Sequence, residues 1–159
     1  MKFLLLFFVS SGAFAALDMK PGLWSVDMKI HDDNKTIDIT EEMKKNLSQL
    51  RDRMGKHASI GDDGKLQVCY SQKLINSPEI LAGNQQSNCK TDVVKDTPTR
   101  VVTRFKCEDG TSGNSNWTVK NAKNYKGRLH MVTPKGEPTD IKYTGTFISS
   151  DCGKITPVL

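Results

Sequence analysis

Four side chains in this chain carry the chemistry of nucleophiles, redox centres or soft metal ligands: Cys69, Cys89, Cys107 and Cys152. Cys69 stands in VCYSQK, just ahead of a serine that can cap a helix, and a thiol at a helix start is a setting that lowers its pKa toward a reactive thiolate. The spacing argues against that chemistry. There is no C-x-x-C, and no histidine stands near Cys69 in sequence. An even number of cysteines behind an export signal points instead to structural disulfides. Four cysteines allow three pairings. A hairpin folded from Cys89 to Cys107 sets those two opposite each other and leaves Cys69 for Cys152, the preferred scheme. The sequential scheme, Cys69 with Cys89 and Cys107 with Cys152, stays open. Either scheme stabilises a small domain by about 2 to 4 kcal/mol per bridge.

The remaining chemistry is sparse. His31, His57 and His130 are far apart and lack the spacing of a zinc motif. His31-Asp32-Asp33 reads as a polar turn, and Asp62-Asp63-Gly64 lacks the alternating acids and closing glutamate of a calcium loop. No G-x-S-x-G elbow, phosphate loop or dinucleotide fingerprint occurs. No catalytic residue, metal or cofactor is therefore assigned. Carboxylate pairs that meet only in space leave one alternative, an envelope enzyme acting on glycan, peptide or lipid. Asn34, Asn46 and Asn116 stand in N-x-S/T triplets, which matter only in a eukaryotic secretory host.

The elements that must position these residues begin with an address. MKFLLLFFVSSGAFA has one lysine, an apolar run from Phe3 to Val9 and a small-residue end at Ala13-Phe14-Ala15, the pattern of a secretory signal peptide over residues 1–15. It is too short for a permanent anchor, and no later segment reaches the roughly 20 apolar residues of a membrane helix. The expectation is one exported domain over residues 16–159, periplasmic or extracellular after cleavage near Ala15. The formal charge of +5 is modest and reads as spread along the chain, with no basic block dense enough for a nucleic-acid arm.

Strict alternation in LWSVDMKIH sets Trp24, Val26, Met28 and Ile30 on one face of a strand. Thr40 can cap a helix with Met43, Leu47, Leu50 and Met54 on its apolar stripe and Gly55 as its stop. A strand at Lys65 to Tyr70 follows, Ser71 can cap a short helical stretch, and Ser77-Pro78-Glu79 restarts one. The hairpin from Cys89 to Cys107 is read with paired positions from Cys89 opposite Cys107 to Asp96 opposite Arg100. Asp92 then meets Arg104, Val94 meets Val102 and Lys95 meets Val101, with Lys90 against Lys106 the one poor rung. Strands at Asn114 to Lys120, Gly127 to Val132 and Asp140 to Ile148 complete the chain. The fold class is mainly β with a helical element: a curved antiparallel meander or partly closed barrel, with one amphipathic helix packed on it.

The signal peptide, KPGLWSVDMKI, the Met-bearing helix ending in RDRMGKHASI, and the ordered cysteines of VCYSQK, NCK, FKC and DCG resemble bacterial exported domain-of-unknown-function family 3617. The resemblance spans nearly all of the mature chain. Ser149-Ser150-Asp151 departs from it, standing where a glycine-rich lead into the last cysteine is expected. The resemblance implies a periplasmic, mostly β protein and lends no catalytic residues. The function expected is a non-catalytic binding or interaction module for a small apolar ligand or an envelope partner. Its ligand would sit on a concave face offered by Trp24, Val26, Met28, Trp117, Leu129, Tyr143 and Phe147, residues that equally serve as core under the helix.

Overall fold

The computed structural model describes residues 16–32, 35–38, 55–77 and 88–158. The expected signal peptide, the helix from Thr40 to Met54 and all but Ser77 of the stretch at Ser77-Pro78-Glu79 lie outside the described residues.

Among the described residues, nine strands form one antiparallel sheet: β1 (Gly22–Asp32), β2 (Lys35–Asp38), β3 (Ala58–Ile60), β4 (Leu66–Tyr70), β5 (Cys89–Thr97), β6 (Arg100–Cys107), β7 (Ser112–Asn121), β8 (Asn124–Val132) and β9 (Pro138–Ser149). The order across it is β3-β4-β1-β9-β8-β7-β6-β5, and β2 pairs with the far end of β1. From β5 to β9 the sheet is the meander that closely spaced strands predict, because short turns return the chain beside itself. β1 then closes on β9, far away in sequence. Among the described residues, the sheet is not closed between its β3 and β5 edges, which favours the open meander over a barrel.

The hairpin follows the expected register from Cys89 opposite Cys107 to Val93 opposite Thr103, including Lys90 against Lys106. Beyond Val93 it departs. Lys95 meets Val102, Asp96 meets Val101 and Thr97 meets Arg100. The loop is only Pro98-Thr99, one residue shorter than the expected turn, and an extra residue at Val94 compensates as a bulge. Val94 is left 51% exposed, and Asp96 faces the row of Val101 instead of Arg100. β2 and β3, short strands that local alternation did not reveal, extend the β1 and β4 side.

The inner face holds a core of Trp24, Val26, Leu66, Tyr70, Val101, Trp117, Val119 and Tyr125. Its curvature can be read from the rings. Tyr70 on β4 and Trp117 on β7 are four strand steps apart, about 19 Å on a flat sheet, yet their ring centroids are 6.3 Å apart. The sheet therefore rolls so that side chains from distant strands meet. Two reciprocal pairs on β8 and β9 accompany the roll. Tyr125 lies opposite Gly145 and Gly127 opposite Tyr143, and in each pair a methyl on the glycine would overlap the tyrosine ring.

One end of the roll is plugged. Ser71 caps α1 (Gln72–Ile75), its Oγ accepting from the backbone N–H of Leu74 at 3.1 Å, and Leu74 and Ile75 are buried. Leu17 and Met19 bury beside them. Their segment is strapped across the end by Leu17 N–H to Ile75 O, Asp18 N–H to Pro98 O and Lys20 N–H to Ala122 O.

Candidate functional site

The residues expected to offer a ligand surface do share the inner face. Rows across the sheet run Val101, Trp117, Gly127, Tyr143, Met28 and, one row on, Thr103, Ser115, Leu129, Ile141, Ile30. Alternation puts every one of these side chains on the same side of its strand. What they meet there is mostly each other. Trp24 is fully buried, 5.2 Å from the Tyr125 ring and 5.6 Å from Phe147. Trp117 stacks on Tyr125 at 4.6 Å and lies 5.0 Å from Tyr143. Met28, Tyr143 and Phe147 are partly buried against this cluster, and Leu129 is half-buried.

Tyr125, which the sequence reading did not single out, is the hub. Its hydroxyl lies 2.7 Å from that of Tyr70, so one buried phenol donates a hydrogen bond to the other. Burial pushes the Tyr70 hydroxyl up to about 12, with the Tyr125 hydrogen bond opposing. Burial also raises Tyr125 well above the usual phenol range, and raises Tyr143.

Cys89 is bonded to Cys107 across the hairpin and Cys69 to Cys152, with Cα separations of 3.9 and 5.7 Å, leaving no free thiol. The second bridge anchors the C-terminal tail, where Val158 N–H donates to Cys69 O and Ser71 Oγ donates to Val158 O. His57 lies near the tail, its Nδ1 3.2 Å from Thr156 O. His130, Asp140 and His31 occupy successive positions of one outward row on β8, β9 and β1. His130 Nδ1 is 3.2 Å from Asp140 Oδ1, the oxygen that also accepts from Arg128 Nε at 2.9 Å. This arrangement orients a guanidinium and an imidazole on one carboxylate. Among the described residues no group of three His, Cys, Asp or Glu side chains is placed to hold a metal ion.

The outer face of β7 to β9 carries a half-open groove of about 350 Å³. It is lined by Asn116 and Thr118 of β7, Lys126 and Arg128 of β8, and Lys142 and Thr144 of β9, with the Gly127 and Tyr143 rung between the two rows. The register sets Arg128 opposite Lys142 and Lys142 opposite Lys29, three cations on adjacent strands. Directly opposed like charges destabilise a sheet. The hydrogen bond from Arg128 holds the Asp140 carboxyl below its ordinary pKa, and the same bond raises the guanidinium.

Sequence reading missed this groove because its cations are isolated in sequence. The available signal was Lys126-Gly127-Arg128, an alternation placing two cations on the outward face of a strand. The match to Lys142 and Lys29 needs the long-range register. A model of the family described as "Protein of unknown function (DUF3617)" matches residues 19–152. No curated protein matches the chain.

Proposed function

Because the chain belongs to the DUF3617 family of proteins of unknown function, we propose a function from its geometry: an exported, non-catalytic binding module that docks an envelope partner or ligand through the outer groove. Two disulfides support an oxidising compartment. The apolar N-terminal run ending in Ala13-Phe14-Ala15 supports export. Among the described residues, no helix is long and apolar enough to cross a membrane.

The observation that carries the reading is the row Arg128, Lys142, Lys29 beside a groove of about 350 Å³. A sheet gains nothing in stability from three opposed cations, so a row of them beside a concavity within the size range of ligand sites is the mark of a recognition surface. The ring packing of Trp24, Trp117 and Tyr125 weighs the same way, since those rings already spend their faces on one another. For catalysis the polar groups are poorly poised: every thiol is in a disulfide, and Asp140 is shared between Arg128 and His130.

The test is native mass spectrometry of the protein taken from its own cell envelope without refolding, with a parallel sample cross-linked before extraction. A reproducible added mass lost on denaturation, or a discrete cross-linked partner, is the expected result. A bare mass with no cross-linked species would refute the reading.

A further inference from the structure

Two guanidiniums on the outer face are tethered in the same way. Arg128 donates from Nε to Asp140 Oδ1 at 2.9 Å, and Arg100 donates from Nε to Asn116 Oδ1 at 3.2 Å. Among the described residues, neither has a further hydrogen bond or ion pair through its Nη groups. A guanidinium held by Nε keeps its end-on pair of Nη donors, the fork that matches two oxygens of one oxyanion. Arg128 and its neighbours Lys126 and Lys142 line one groove, together with Thr118, Thr144 and Asn116. Asp27, opposite Thr144, and Asp140, opposite His130 in the row next to Arg128's, are the outward acids of these three rows on β8, β9 and β1, and Asp140 is already engaged. Asp38 follows Lys29 at the far end of its row.

We infer that the outer groove binds a phosphate-bearing ligand, a phosphate monoester or diester, with Lys126, Arg128 and Lys142 as its cationic contacts. A phosphate oxyanion carries up to about two negative charges and several acceptor oxygens, which suits a groove lined by three cations better than one carboxylate does. The inference rests on the groove being the binding site proposed above, and it names the ligand's chemistry.

The same chemistry is borne by an anionic lipid headgroup or by a small soluble phosphate, and the experiment separates them. The intact disulfide-bonded protein is titrated with glycerol 3-phosphate and, separately, with phosphatidylcholine vesicles with and without phosphatidylglycerol. The same titrations are run on Lys126→Gln/Lys142→Gln and on Lys65→Gln, a control in the β3–β4 turn. Losing two charge-assisted contacts should weaken binding at least about tenfold, with the melting temperature unchanged or raised and Lys65→Gln behaving as wild type. Binding of glycerol 3-phosphate with that loss supports a soluble phosphate. Binding confined to phosphatidylglycerol vesicles, with the same loss, supports a headgroup. No binding to either probe, or equal binding by the double variant, overturns the inference. If the envelope-derived protein nevertheless carries an added mass or a cross-linked partner, the binding-module reading stands while the phosphate assignment falls.

Discussion

Removing the two disulfides one at a time should separate them by the loops they close. In the chain-entropy account a bridge restricts the unfolded chain by about 2.1 + 1.5R ln n cal/mol/K for a loop of n residues. Cys89 and Cys107 are 18 residues apart, which corresponds to about 3 kcal/mol at 25 °C. Cys69 and Cys152 are 83 apart, which corresponds to about 4.5 kcal/mol when that loop stands alone. The hairpin bridge lies inside the larger loop and shortens its path, trimming this to about 4.3 kcal/mol. The folded state widens the gap. Cys69 is buried and its partner anchors the tail that bonds back to it, whereas the hairpin bridge joins a rung that the β5–β6 ladder already holds. Cys69→Ala/Cys152→Ala should therefore lose about 1 kcal/mol more than Cys89→Ala/Cys107→Ala. Guanidinium unfolding followed by fluorescence of the buried Trp24 and Trp117 measures both. An equal or larger loss for the hairpin pair, with unchanged m-values, would refute the reasoning.

Alkaline pH should weaken the fold through its buried phenols. The folded Tyr70 hydroxyl is raised to about 12 by burial, against about 10 when unfolded. Its contribution is whole below about pH 10 and lost as pH rises to about 12, roughly 3 kcal/mol for this residue, and Tyr125 and Tyr143 act in the same direction. A urea midpoint that does not fall between pH 9 and pH 11.5 would count against it. Gly145→Ala should drive the Tyr125 ring out of place and cost about 1 to 3 kcal/mol, read as a lower melting temperature; wild-type stability would show that the ring can yield. Lys142→Thr should gain about 0.2 to 1 kcal/mol by relieving its two opposed cations, and a calorimetric loss of stability would contradict the like-charge argument.

Much of the local fold was legible. Alternation in β1 and β4 put Trp24, Val26, Met28, Leu66, Val68 and Tyr70 on their inner faces, and the hairpin register held from Cys89 to Val93. Ser71 was recognised as a cap because its oxygen meets the N–H three residues on. The bulge at Val94 was not legible: a turn shorter by one residue leaves no mark in the alternation of the strand before it. β2 and β3 were too short for a period to show.

The amino-acid sequence by itself determined most strand faces, the run of closely spaced strands and the family, because a period of two, a turn residue and a motif are properties of neighbours along the chain. Tertiary structure alone decided how those faces were used. Pairing β1 with β9 and β4, and rolling the sheet, consumed Trp24 and Trp117 in packing against Tyr125 and Tyr70. The same pairing collected Arg128, Lys142 and Lys29, remote in sequence, into one row. Register between distant strands is set by what they bury together, and a slip of one residue on any of them would have turned the cations inward.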